Sequence, residues 1–376
     1  MPVSQSIYLV AGEVSGDTHG ACLMAALRDQ VPEAVFHGAG GPEMNAVSGQ
    51  VTNWVEDAAV MGIVEVLKHY KWFKQRFAEM LDACVALSPD VLVLIDYPGF
   101  NLRFAAAVRE KLPNIKIVYY ISPQVWAWNK GRIPKMAETL DLMLCIFPFE
   151  QEIFQSAGLK TIFTGHPLVD ELEEKKIHVE REHGLVGLFP GSREREVARL
   201  FPLMVETARR MNSHHPQWRY EAAAASEKLA KSMREIVSAA KLTDSSMIKI
   251  TTGNSHALMQ RATCGVVASG TATLEAAALG LPYCLVYKVA WPTWAMGKML
   301  VKLDYIGLVN ILAGEKIVEE LIQSEADPNH LENILNELLT DEAARERLRE
   351  RLLETASKLG EPGAHHRAAA EIAKLL

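Results

Sequence analysis

Short apolar runs punctuate the chain, each bounded by turn residues. In the first half they fall at 7–11, 91–95, 116–120, 142–146 and 161–164. After a break they resume at 185–189, 219–224, 247–251, 265–268 and 283–287. Runs without polar alternation suit strands buried on both faces, as in parallel sheets. The longer amphipathic stretches between them suit the crossover helices that parallel strands require. The pattern predicts an α/β protein made of two successive doubly wound units. The stretch 170–183 carries Glu171, Glu173, Glu174, Lys175 and Lys176 and no strand pattern, so it marks the boundary. Expected domains are residues 1–170 and 184–351. Past Asp304 the pattern turns helical, and charges at helical spacing over 328–358 read as a solvated helix face.

A length of 376 residues agrees with two domains. Hydrophobic residues at 49% and charged residues at 23% exclude a mainly disordered chain. The net charge of −7 argues against general nucleic-acid binding, which needs surplus positive charge. No apolar run approaches the roughly 20 residues of a spanning helix, and 7–11 is too short for a signal peptide core. Cys22, Cys84, Cys145, Cys264 and Cys284 form no CxxC pair and read as buried free thiols in a reducing cytosol. His214-His215 and His365-His366 lie on polar segments and read as surface pairs rather than metal ligands.

In doubly wound folds ligands bind beyond the carboxyl ends of the strands, so the loops there carry the chemistry. The first loop, Ala11 to Gly20, is a glycine-rich strand-to-helix turn holding Glu13, Ser15, Gly16, Asp17 and His19. It is no Walker loop, since no Gly-Lys-Ser/Thr follows, and no dinucleotide fingerprint; the G-x-G at Gly38-Ala39-Gly40 has Glu43 where the third glycine should be. Ser15 or Asp17 capping the helix is the plain alternative. The second loop begins with Asp96, an acid ending a fully apolar strand, where it needs partners or a task. Facing a cleft, it suits a general base; capping the turn before Pro98 is the alternative. The third, Ile121 to Trp128 with Lys130 and Arg132, offers Ser122 and two tryptophans that suit sugar stacking, a lid or core packing. The fourth, Pro190-Gly191-Ser192-Arg193, opens a charged helix and suits a diphosphate, with Ser192 as the candidate cap. The fifth, Ser269-Gly270-Thr271 with Glu275 about one turn on, suits phosphate at the helix start and ribose hydroxyls on the glutamate.

Taken in order, these segments resemble the lipid-A-disaccharide synthases, inverting glycosyltransferases of the GT-B type. The resemblance covers essentially the whole chain. It runs through Val10–Asp17 (VAGEVSGD), Val60–Val66 (VMGIVEV), Asp96–Asn101 (DYPGFN), Ser122–Trp128 (SPQVWAW), Gly165-His166, Pro190–Arg193 (PGSR), Ser269–Glu275 (SGTATLE) and Leu308–Gly314 (LVNILAG). The VMGIVE and SPQVWAW segments are the specific ones; the SGT…E segment is generic for nucleotide-sugar GT-B enzymes. The resemblance implies two Rossmann-like domains facing a central cleft, the first completed by helices within 352–376. It implies transfer from UDP-2,3-diacylglucosamine to 2,3-diacylglucosamine 1-phosphate (lipid X), giving the β-1,6-linked disaccharide 1-phosphate and UDP. Asp96 matches the proposed base for the acceptor 6-hydroxyl. Glu13 and His19 join it as catalytic candidates, open between acceptor contact and loop structure. Ser15, Gly16, Asn101, Ser122, Ser192, Arg193, Ser269, Gly270, Thr271, Glu275 and Asn310 are the substrate-binding candidates. Gly99 stands where some members carry an acid. The resemblance also implies a homodimer with exchanged C-terminal segments. The chain holds no Asp-x-Asp, so neither a metal nor a cofactor is expected.

Acylated substrates demand contact with a bilayer. At helical spacing in 62–85, Val64, Lys68, Lys71, Trp72 and Arg76 form a basic face with a tryptophan, suited to an anionic membrane surface. Trp291 and Trp294, near Lys288 and Lys298, form a second candidate. An amphipathic helix laid over a sheet is the plain alternative. The expected location is the cytosolic face of the inner membrane. Two rival functions stand beside the transferase: a UDP-N-acetylglucosamine 2-epimerase-like enzyme, and a catalytically silent nucleotide-sugar sensor. A Rossmann oxidoreductase lacks its fingerprint.

Overall fold

The computed structural model describes residues 5–56, 70–177, 179–240, 247–301 and 303–376. They divide into two compact units: residues up to Pro167 together with Gly360–Leu376, and Leu168–Leu359. The break falls at 167/168, ahead of the expected 170–183 stretch, because Leu168–Glu174 is a helix of the second unit with Leu168 and Leu172 buried. The Glu342–Ser357 helix also belongs there, so only 360–376 rejoin the first unit, not 352–376.

Among the described residues the first unit holds a seven-stranded parallel sheet in the order β3-β2-β1-β4-β5-β6-β7. The strands are β1 (Ser6–Ala11), β2 (Val35–Gly40), β3 (Val51–Asn53), β4 (Val91–Ile95), β5 (Lys116–Tyr120), β6 (Leu142–Cys145) and β7 (Thr161–Phe163). All five residues of β4 are fully buried, as an apolar run between two helical layers should be. Sequence pattern missed β2, whose run VFHGAG is half small residues. Gly38 explains the composition: its φ is +143°, and a Cβ there would lie 1.9 Å from the Leu9 carbonyl oxygen. The helix Ala364–Ala373 buries Ala364, Ala368, Ala369 and Ile372 within its own chain's first unit, against the Val14–Gln30 helix. Arg367 Nε donates to the Thr164 carbonyl at 2.8 Å, and Gln30 Nε2 to that of His366 at 2.9 Å.

The second unit holds a six-stranded parallel sheet, β10-β9-β8-β11-β12-β13. Its strands are β8 (Glu182–Phe189), β9 (Arg219–Ala224), β10 (Ile248–Thr252), β11 (Ala262–Ala268), β12 (Tyr283–Tyr287) and β13 (Glu320–Ile322). The three-residue β13 lies in a stretch that reads as helical from sequence; it is too short to carry a periodic signal. In both sheets the winding reverses between two central neighbours, β1/β4 and β8/β11, which is where such folds leave a crevice at the carboxyl edge.

Arg181 locks the second unit behind that crevice. Its Nη1 donates to the carbonyls of Met259 (2.8 Å) and Ala262 (2.7 Å), and its Nη2 to those of Leu279 and Gly280 (2.7 Å each). These carbonyls end the helices Ser255–Arg261 and Ala272–Ala278, where a cation also complements the helix dipole. Burial draws the guanidinium pKa down to about 10, still charged at neutral pH. Replacement Arg181→Met strands four carbonyls. It is expected to cost at least about 3 kcal/mol of stability, read as a lower urea midpoint, whereas an unchanged midpoint would show that water substitutes for the guanidinium.

Candidate active site

In the first unit the site grows from the turn after β4. Asp96 and Tyr97 both adopt left-handed backbone (φ +46° and +49°), a costly state for two consecutive non-glycine residues. Three neighbours hold the turn. The Asn101 Nδ2 donates to the carbonyls of Ile95 (3.1 Å) and Asp96 (2.8 Å), and the Tyr119 hydroxyl donates to that of Asp96 (2.5 Å). The Asp96 N–H donates to the Tyr120 carbonyl at 3.0 Å. The Tyr97 ring lies over Gly12, where a Cβ would meet it at 2.1 Å, so the β1 and β4 loops interlock and only glycine fits. Glu13 follows, exposed, at the start of the next helix. Burial, and then the Glu13 charge, push the Asp96 carboxyl up to about 6, with the Tyr97 N–H pulling the other way.

His19 is half-buried with its ring 5.6 Å from that of His365, whose Nδ1 lies 3.1 Å from the Tyr120 hydroxyl. His365 is therefore no surface histidine: the C-terminal helix brings it into this loop cluster. Burial, and then the His19 charge, hold His166 down to about 3, so it stays neutral near pH 7. His214 does lie exposed, while His215 stacks on Trp218 at 3.9 Å. Cys22 is exposed, against expectation; the other four thiols are buried and free.

Several of these loop residues are tied to their own chain. Asp17 caps a different helix from the one it sits in: its carboxylate accepts from the N–H groups of Gly41 (2.8 Å), Glu43 (2.9 Å) and Met44 (3.0 Å). Gly16 is buried against Ala11, while Ser15 is exposed. Asn101 is fully buried on the Asp96 turn. Ser122 is buried and donates to Glu150 Oε2 at 2.5 Å; Glu150 also accepts from Trp126 Nε1 (2.8 Å) and the Phe147 N–H (3.1 Å). Burial lifts the Glu150 carboxyl to about 7 despite these donors. Trp126 thus belongs to the core, while Trp128 is 46% exposed. Sequence reading passed over Glu150, whose signal was its place two residues after Pro148 at a helix start.

In the second unit the fourth and fifth loops meet across a cavity of about 520 Å³. Gly191, Ser192 and Arg193 line one side, and Ser269, Gly270, Thr271 and Glu275 the other. Arg193 is 82% exposed at its side chain and pairs with Glu196 at 2.8 Å; it is the residue at the helix start, and Ser192 is no cap. Glu275 is held by His256, Nε2 to Oε2 3.1 Å. His256 was not singled out from sequence, because a histidine in a polar segment carries no spacing signal. Asn310 is fully buried: its Nδ2 donates to the Val318 carbonyl (3.0 Å) and Glu320 Oε1 (2.8 Å), and its Oδ1 accepts from the N–H of Ile317 (2.8 Å) and Val318 (3.0 Å). It braces the loop after its helix. Among the described residues no three His, Cys, Asp or Glu side chains converge as a metal-binding set.

A family profile described as lipid-A-disaccharide synthetase matches residues 7–372. The chain belongs to this family. Curated lipid-A-disaccharide synthases agree: that of Trichlorobacter lovleyi is 37% identical over 371 residues, covering 96% of this chain and 95% of its own, and that of Geobacter sulfurreducens is 36% identical, covering 99% and 98%. Solved structures share the fold at low identity. A putative UDP-N-acetylglucosamine 2-epimerase from Listeria monocytogenes superposes with a TM-score of 0.64 at 11% identity, covering 99% and 96%. The 2-epimerase of Methanocaldococcus jannaschii, solved with UDP-GlcNAc and UDP, gives 0.60 at 14%, covering 98% and 99%. At such identity these neighbours speak to the GT-B architecture alone. The elevated carboxyl at Asp96 carries a stability signature.

The folded chain holds a proton on Asp96 that the unfolded chain, with an ordinary carboxyl near 4, releases earlier. Stability from this group therefore falls as pH rises from about 4 to about 6. Asp96→Asn removes the penalty and tolerates left-handed backbone. The variant is expected to be more stable than wild type by roughly 2–3 kcal/mol above pH 7, with the gain vanishing near pH 4. Paired urea titrations at pH 4, 6 and 8 measure it; a gain independent of pH would mean that Asp96 is not elevated.

Proposed function

We propose that this enzyme transfers the sugar of UDP-2,3-diacylglucosamine to the 6-hydroxyl of 2,3-diacylglucosamine 1-phosphate, forming the β-1,6-linked lipid A disaccharide 1-phosphate and UDP. The observation that carries the reading is Asp96, a carboxylate on a strained turn at a strand end, raised to about 6 in a member of this family. At neutral pH it is mostly ionised yet more basic than an ordinary aspartate, which suits a general base.

The step is a single displacement. Asp96 takes the proton of the acceptor hydroxyl; the freed oxygen bonds to the anomeric carbon from the face opposite the diphosphate. The bond from that carbon to the leaving oxygen breaks, and its electron pair stays on UDP. Arg193 answers the charge growing on the diphosphate, with the backbone of Gly270 and Thr271 beside it. Glu275, steadied by His256, accepts from the ribose hydroxyls. Glu13 keeps Asp96 basic through its charge, and His19 orders the loop with His365. Positioning two large substrates supplies much of the remaining acceleration.

No described helix is long and apolar enough to cross a membrane. In this reading the enzyme meets lipid peripherally, on the cytosolic face of the inner membrane. Trp291, 75% exposed beside Lys288 and Lys298, favours the second candidate surface. At the first, Val64 and Lys68 lie outside the described residues, as does the VMGIVEV segment. Lys71 is exposed, but Trp72 is no exposed anchor: it stacks on Trp54 at 6.3 Å, with Arg76 over its ring at 5.7 Å and bound to Glu79. A homodimer with exchanged C-terminal segments would place Gly360–Leu376 on the same surface of a second copy.

Purified protein given both substrates in detergent with EDTA is expected to make disaccharide. Asp96→Asn should lower kcat by about 1,000-fold, within the range for losing a general base. Wild-type kcat/KM should drop tenfold per pH unit below about 6 and level off above about 7. Folded, UDP-binding wild type that makes no disaccharide would overturn the transferase in favour of the epimerase or sensor; full activity in the variant would remove Asp96 alone.

A further inference from the structure

A second cavity, of about 400 Å³, lies in the first unit between the helices Pro98–Lys111 and Ile133–Thr139. Its walls follow helical spacing on both sides: Gly99, Leu102, Arg103 and Ala106 on one, Arg132, Lys135, Met136 and Thr139 on the other. The floor is apolar, with Met136 buried and Leu102 half-buried. Three cations, Arg103, Arg132 and Lys135, stand exposed along the walls. Among the described residues none of them has a carboxylate partner. This sets them apart from Arg109 and Lys116 nearby, which share Asp141. Arg132 lies over the exposed Trp128 ring at 5.2 Å, which holds its guanidinium at the rim.

The two helices follow the neighbouring parallel strands β4 and β5, so they run the same way and their cation-bearing starts lie at one end of the groove. The chain enters that end from Asp96: Gly99, three residues on, lines the groove, and apart from its own helix nothing comes within 4 Å of where its Cβ would be. Arg103 is four residues further, about 6 Å along the helix axis. A pyranose whose 6-hydroxyl meets Asp96 presents its anomeric substituent roughly one ring width away.

We infer that this groove binds the anomeric phosphate of the acceptor, with Arg103, Arg132 and Lys135 as its ligands and the apolar floor receiving the start of an acyl chain. The inference rests on the transferase reading and adds what distinguishes the acceptor. Unpaired cations above an apolar floor match an anionic amphiphile; Arg supplies the paired donors that suit phosphate oxygens. The contacts are binding contacts only and make or break no bond.

The test is equilibrium binding, which needs no turnover. Wild type, Arg103→Glu, Arg132→Glu and Arg103→Lys are titrated by calorimetry with short-chain 2,3-diacylglucosamine 1-phosphate and with its dephosphorylated counterpart. Wild type is expected to prefer the phosphorylated ligand at least tenfold. Each Glu variant should lose that preference while keeping UDP affinity and the weak dephosphorylated binding, and Arg103→Lys should keep most of it. Ala106→Phe, filling the floor, should weaken both ligands at least fivefold; no change would remove the acyl part. Preference kept in both Glu variants, or equal weakening of both ligands, overturns the phosphate site. Preference present in a wild type that makes no disaccharide would leave the groove standing and sink the transferase. Turnover with no loss of preference in the variants would sink the groove alone.

Discussion

The turn at the end of β4 is the constraint on which the first unit's chemistry rests. Five fully buried residues carry the chain straight to Asp96, and the backbone then enters the left-handed region twice in succession. Such a turn persists only when its surroundings over-determine it. Asn101 and Tyr119 spend their side-chain donors on the carbonyls of the turn, and the Tyr97 ring closes on a residue that must be glycine. The carboxylate is thereby fixed where it is poorly solvated and near another acid. Both effects raise its pKa, which gives a base its strength and costs the fold some stability.

The second unit repeats the geometry with different chemistry. Its switch point lies between β8 and β11, and the loops leaving those strands carry Gly191–Arg193 and Ser269–Thr271. Here the loops present exposed donors and positive charge rather than a buried acid, with Arg193 open to solvent. Arg181 ties off the far ends of the two helices that carry His256 and Glu275, so the pair is set from behind. In the proposed mechanism the first unit supplies the proton acceptor and the second the anion site.

Motif residues divide between those that meet solvent and those that hold the former in place. Ser122, Asn101, Asn310 and Asp17 all lie in distinctive segments, and all are buried with their hydrogen bonds directed at their own chain. Polar side chains in a buried loop are held by partners, so such residues fix the backbone that carries the exposed ones. Sequence pattern does not separate these two populations, since each has the same composition and the same position after a strand.

The buried strands, the two doubly wound units, the five loops and the family were all legible in the chain. Continuous apolar runs can be satisfied only between two layers, and the loop motifs are local in sequence. Strands as short as β3 and β13, or as rich in glycine as β2, were not, because their pairing is decided by neighbours and not by periodicity. Tertiary structure alone decided the rest. The C-terminal helix brings His365 to Tyr120 and His19 from about 250 and 350 residues away in sequence, Glu150 closes on Ser122 and Trp126, and His256 meets Glu275. The pKa of Asp96 also belongs to this level, since desolvation depends on what surrounds a carboxyl in space, and no spacing along the chain encodes that.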